Sequence, residues 1–239
     1  GLLFFTISIL YFLKYLKYKK KKYIWKNTIF LICSSYISPN FSFFIIFYAY
    51  HYIKENNFKD LFILYFFCLM ISLPFFYYVF ILDVNFLMVN TPGEISGENI
   101  NLSFNISDKI LIISSIILFH LIPFILNKDF LYEIIKTPKK DFLIVSLIFV
   151  FLLYFFNYQI SYTGGGIFFQ VSNFIFKNNI FFYLTSFLSL ILLFYLVRNN
   201  LNNFLIFIPL IFSNIQNTIY HKYYDPLMLI LFFTIIVVP

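Results

Sequence analysis

Near one end of a mostly apolar chain stands the stretch Gln216-Asn217-Thr218-Ile219-Tyr220-His221-Lys222-Tyr223-Tyr224-Asp225-Pro226. The 239 residues include only 3 histidines and 10 acidic side chains. A histidine, a lysine and an aspartate within five positions are therefore a marked concentration of chemistry. Lysine offers a point charge, while tyrosine and histidine donate hydrogen bonds, a combination that suits a phosphate. Histidine also moves protons near neutral pH. His221, Lys222, Tyr220, Tyr224 and Asp225 are accordingly candidate substrate-binding residues, with Gln216 adding an amide one turn earlier. Each has a structural reading too. Pro226 suits the first turn of a helix, which would make Asp225 its N-cap. The tyrosines suit the aromatic belt of a membrane interface, and Lys222 can snorkel.

Further candidates lie elsewhere. Glu94 and Glu98 sit among turn signals in the polar stretch Asp83–Lys109, as bases, metal ligands or solvated carboxylates. A divalent metal ion has a place in this reading, but no ligand set is defined. Cys33 and Cys68 lie in separate apolar runs, without metal-ligand spacing. Thr163-Gly164-Gly165-Gly166 lacks the lysine of a P-loop and reads as a loop, a hinge or a point of close backbone approach. His120 lies in an apolar run with no acidic residue at helical spacing, which points to an interhelical hydrogen bond.

Composition decides what must position these groups. The chain is 62% hydrophobic and 11% charged, against about 25% charged in soluble domains. Its apolar runs cover about 2–13, 28–38, 41–53, 61–82, 110–126, 142–158, 180–197, 204–219 and 227–238. They are continuous, as helices in lipid require, rather than alternating as in a barrel. The expected fold is all-α, a polytopic transmembrane helix bundle with about seven to nine membrane segments. Residues 1–239 read as a single transmembrane domain and as a fragment of a longer protein, with 83–108 an extracytoplasmic loop.

The net charge of +7 reads as a topology signal, not as a nucleic-acid surface. The stretch 28–52 is either one span kinked at Pro39 or two short helices that turn at Ser38-Pro39-Asn40 and return. The returning form places 14 of the 17 basic residues on one side, so positive-inside bias favours it. The Lys17–Lys26 tract is then cytoplasmic and can touch anionic headgroups. The 83–108 loop, the glycine run and the Tyr220–Asp225 turn are then outside. The expected location is a plasma or inner membrane, crossed several times.

Short-looped aromatic spans, an outer loop of about 25 residues and the polar turn before a late span resemble the C-type glycosyltransferases. Ser72–Leu82 followed by Asn90-Thr91-Pro92-Gly93-Glu94 is similar to their arrangement of span and outer loop. The resemblance is one of layout across much of the chain. It implies transfer of a sugar from a polyprenyl-phosphate donor on the outer face, with inversion, in cell-envelope glycan synthesis. It also implies that His221 and Lys222 hold the lipid phosphate, and that membrane lipids are partners. The family's acidic base belongs to a first outer loop, which would lie upstream of Gly1, so no catalytic base is named. A transporter or flippase of lipid-linked saccharide, a polymerase and a non-enzymatic membrane subunit stay open as alternatives.

Overall fold

The computed structural model describes residues 1–56, 106–127, 138–158, 164–212 and 219–237, with scattered positions in 59–81 and 132–134. The described residues are helical, with no strand among them. They fall into two compact units, Gly1–Leu102 and Ser103–Pro239.

In the first unit, α1 (Leu2–Tyr18) and α2 (Lys21–Ile37) form an antiparallel pair. Lys19 takes a left-handed φ of 52° and closes α1 by donating its N–H to Tyr15 O. After Ser38, a 3-10 turn at Pro39–Phe44 leads into α3 (Ile45–Glu55). The chain returns here. Tyr52 Oη donates to Asn27 Oδ1 at 2.8 Å, so the end of α3 lies beside the start of α2. One continuous helix would hold residues 25 apart about 37 Å from each other. Asn27 also donates to Ser8 O and Ser8 Oγ, which ties all three helices at one buried polar point. Above and below it the core is aromatic, with Phe5 stacked on Phe41 and Phe12 edge-on to Phe47.

The second unit is built on α4 (Ile106–Ile125), whose Leu111, Ile112, Ile113, Ile116 and Ile117 are fully buried. Beside it runs α7 (Ile180–Asn199), held by Ser186 Oγ to Leu111 O at 3.3 Å and by Ser189 Oγ to Ser114 O. Both pairs advance together along the two helices, so these run parallel. Between them in sequence, α5 (Lys139–Tyr154) runs the other way. Asn157 N–H just beyond it donates to Asp108 Oδ1 at 2.9 Å, and Asp141 at its start pairs with Arg198. α8 (Leu201–Phe212) and α9 (His221–Thr234) form an antiparallel pair. The Asn203 amide fixes it, bonding Val237 O at 2.9 Å and Val237 N–H at 3.1 Å.

Among the described residues, two helices are long and apolar enough to cross a membrane, Ile106–Ile125 and Ile180–Arg198. This is fewer than the seven to nine expected. The 12 residues of α8 rise only about 18 Å, short of the roughly 30 Å hydrocarbon core. Of the 204–219 run, residues 213–218 lie outside the described residues, and Tyr220 is extended just before α9 begins. The 61–82 run lies largely outside the described residues. α5 exposes Leu143, Leu147, Val150, Phe151 and Tyr154 along one face, each more than half accessible. An apolar stripe of this extent calls for lipid or a partner.

Candidate functional site

The short α6 (Gly166–Phe174) starts from the glycine run, whose Gly164, Gly165 and Gly166 all have positive φ. Gly165 N–H donates to Ile219 O at 2.8 Å. A Cβ on Gly164 would stand 2.7 Å from that same oxygen, and one on Gly166 would stand 3.0 Å from Ile116 Cγ1. Only glycine lets three segments meet this closely. The close approach read from the sequence is therefore to the chain's own backbone. It anchors Ile219, whose N–H donates to Tyr158 Oη at 3.3 Å.

From that anchor the chain is extended at Tyr220 and becomes helical at His221. Asp225 is therefore not an N-cap. The residue preceding α9 is Tyr220, Asp225 lies in the second turn, and Pro226 lies inside the helix. The earlier start places His221 and Asp225 one turn apart on the same face, with His221 Nε2 2.8 Å from Asp225 Oδ1. The same oxygen meets His120 Nε2 of α4 at 3.2 Å. The two imidazoles lie nearly parallel, 5.9 Å between centroids, and Phe119 sits edge-on to both. The His120 side chain is 7% exposed and that of His221 14%, whereas Asp225 is 42% exposed and opens the site on its side. His120, His221 and Asp225 each offer one ligand atom, all within 4.8 Å of one another.

His120 is the member that sequence reasoning missed. Its carboxylate partner lies on another helix, which helical spacing along α4 cannot reveal. The only signal was a histidine in an apolar span, where polar groups face the bundle interior. The remaining expected residues divide. Tyr224 is buried and donates to Leu210 O at 3.4 Å, which joins α9 to α8. The Lys222 ammonium lies 5.2 Å from the Tyr220 ring. Gln216 and Glu94, with Asn217 and Glu98, lie outside the described residues. So does the expected outer loop up to 105, while residues 106–108 belong to α4. The Tyr220–Asp225 stretch lies beside His120, five residues short of the end of α4. The Gly165–Ile219 bond brings the chain to α6 just before α9 starts.

Within the same unit is an apolar cavity of about 200 Å³. Ile110, Ser114 and Ile117 of α4 line it, with Leu193 and Val197 of α7 and Phe207 of α8. Its α4 face ends one helical turn before His120. The site thus joins a polar cluster with an apolar slot along one helix. No family model matches the chain, and no curated protein or solved structure matches it.

Proposed function

We propose that this chain is the membrane-embedded part of a glycosyltransferase that takes its sugar from a lipid-phosphate donor. The observation that carries the reading is the convergence of His120, His221 and Asp225 between two apolar helices. Ionisable groups at such places are costly and are kept for substrates, ions or protons. In this reading the imidazoles and Lys222 contact the donor phosphate, and the slot beside α4 takes part of the lipid chain. The acceptor hydroxyl attacks the anomeric carbon and loses its proton to a base. The bond from that carbon to the phosphate oxygen breaks, and lipid phosphate leaves with the electron pair. The seven to nine membrane segments and a multi-pass place in a plasma or inner membrane belong to the same proposal. The exposed apolar stripe of α5 supports it.

A second reading, a transporter of lipid-linked saccharide, has its own support. α6 and α9 are short helices whose starts meet at Gly165 and Ile219 against the body of α4. Discontinuous helices that begin inside a bundle are typical of transporter binding sites. One experiment separates the two. Membranes holding the protein are given a panel of radiolabelled polyprenyl-phosphate sugars, and release of lipid phosphate and labelled glycan is followed. The enzyme reading expects turnover of one donor and a loss of about 100-fold or more in His221→Ala. Movement of a fluorescent lipid-linked saccharide across vesicles, with no donor consumed, would replace the enzyme by the transporter.

A further inference from the structure

We infer that His120, His221 and Asp225 form a binding site for one divalent transition-metal ion, with three protein ligands and an open fourth position. Two imidazole nitrogens approach one carboxylate oxygen at 2.8 and 3.2 Å, yet neither contact meets hydrogen-bond geometry. His120 Nε2, His221 Nε2 and Asp225 Oδ1 are each buried without a hydrogen-bond partner. Buried polar atoms of native proteins are nearly always satisfied, so three orphans at one point call for a common partner. A cation between them satisfies all three at once.

The dimensions agree. Zinc lies about 2.0–2.2 Å from imidazole nitrogen and carboxylate oxygen, so tetrahedral ligands stand roughly 3.4 Å apart. The observed spacings of 2.8 and 3.2 Å, all within 4.8 Å, need only small side-chain adjustments. Two neutral imidazoles with one carboxylate suit zinc, iron(II) or cobalt(II) better than magnesium or calcium, which prefer all-oxygen shells. Three ligands with one side open is the pattern of zinc sites that act on a substrate. The open side is that of Asp225, the exposed member.

The charge balance adds a reason. Two neutral imidazoles and a carboxylate carry a net −1, which repels a phosphate. A divalent cation turns the site to +1 and gives a phosphoryl oxygen a Lewis acid to bind. That last step rests on the lipid-phosphate reading above. Metal binding does not, and stands on the three side chains alone.

The test uses the full chain in detergent, purified without a polyhistidine tag, stripped with chelator and titrated with Co²⁺ and Zn²⁺. One ion per chain is expected, with the intense visible bands of four-coordinate Co²⁺. His120→Ala, His221→Ala and Asp225→Asn should each weaken binding at least about tenfold, the smallest loss that disturbing even a second-shell partner brings. His51→Ala, which alters the third histidine of the chain, should leave affinity unchanged. Binding that survives all three changes, or that His51→Ala abolishes, overturns the assignment. If a variant does not fold, pulsed electron resonance of Cu²⁺ on the wild-type chain decides. Coupling to two imidazole nitrogens supports the site, and its absence refutes it. A metal-binding protein that turns over no donor would keep this site while ending the transferase reading.

Discussion

Asn27 ties the first unit together through a single amide. It accepts from Tyr52 and donates to Ser8, so each of the three helices contributes one group to it. Asn27→Ala leaves the Ser8 carbonyl and the Tyr52 hydroxyl buried without this partner, at a cost of about 1–3 kcal/mol. Tyr52→Phe removes one bond and leaves the others, costing about 0.6 kcal/mol by the average for membrane helices. Chemical unfolding in mixed micelles should rank the two in that order. A second residue-scale prediction concerns pH. The Lys19 ammonium, hydrogen-bonded to Glu55, holds that carboxyl below its ordinary value of about 4.3, with Tyr15 Oη adding a bond at 3.0 Å. A depressed folded-state value means the contribution is present above the unfolded value and disappears as pH falls through the folded one. As pH is lowered from neutral through the ordinary carboxylate range and below it, the wild type should lose more melting temperature than Glu55→Gln does. At this same scale the sequence showed His221 and Asp225 by their density, because they are neighbours in the chain. His120 stayed hidden, because a contact between helices leaves no mark on the spacing within either one.

At the scale of elements, the return of the chain at Ser38-Pro39-Asn40 was legible and the start of α9 was not. The return was a problem in charge, and basic residues are easily counted along a sequence. The start of α9 depended on Ile219 being held by Gly165, a contact between distant segments. Pro226 suggested a helix beginning at its own position, but it stands in the second turn of α9. There its missing N–H forfeits the bond to the Lys222 carbonyl and its ring crowds that carbonyl, a cost the sequence alone would count against such a start. The glycine run gives the prediction that belongs here. Gly164→Ala places a Cβ 2.7 Å from a carbonyl oxygen at a φ of 135°, so the α6 start must move away from Ile219. A cost of about 1–3 kcal/mol follows. The effect should reach the metal affinity of the His120 site, because Ile219 sets where α9 begins. Equal Co²⁺ affinity in Gly164→Ala and wild type would show that the anchor and the site are independent.

At the scale of the whole molecule, the sequence disclosed the helical class and the excess of apolar surface. Among the described residues two helices reach a full span, since apolar length along a chain does not reveal where a helix stops inside a bundle. Sidedness within the second unit is the sharpest check on a membrane place for it. Asp141 and Arg198 mark one end of that unit, and Asp108 and Asn157 mark the other. With Cys33 and Cys68 changed to serine, Lys139→Cys and Lys177→Cys should react with an impermeant thiol reagent from opposite faces of the membrane. Labelling of both in intact cells would remove the multi-pass proposal.

On the proposed membrane location, the returning α2–α3 pair bears on how the chain would enter lipid. Residues 27–53 contain no lysine, arginine, aspartate or glutamate. The tip at Pro39–Phe44 is apolar apart from Asn40 and Ser42. Such a loop can slide into lipid from the side on which both its ends remain. No formal charge has to pass through hydrocarbon, and no hydrophilic segment has to be threaded to the far side. Insertion of this pair would then require neither a membrane potential nor a translocation channel. It would proceed as a partitioning step, driven by the apolar surface that the two helices present together.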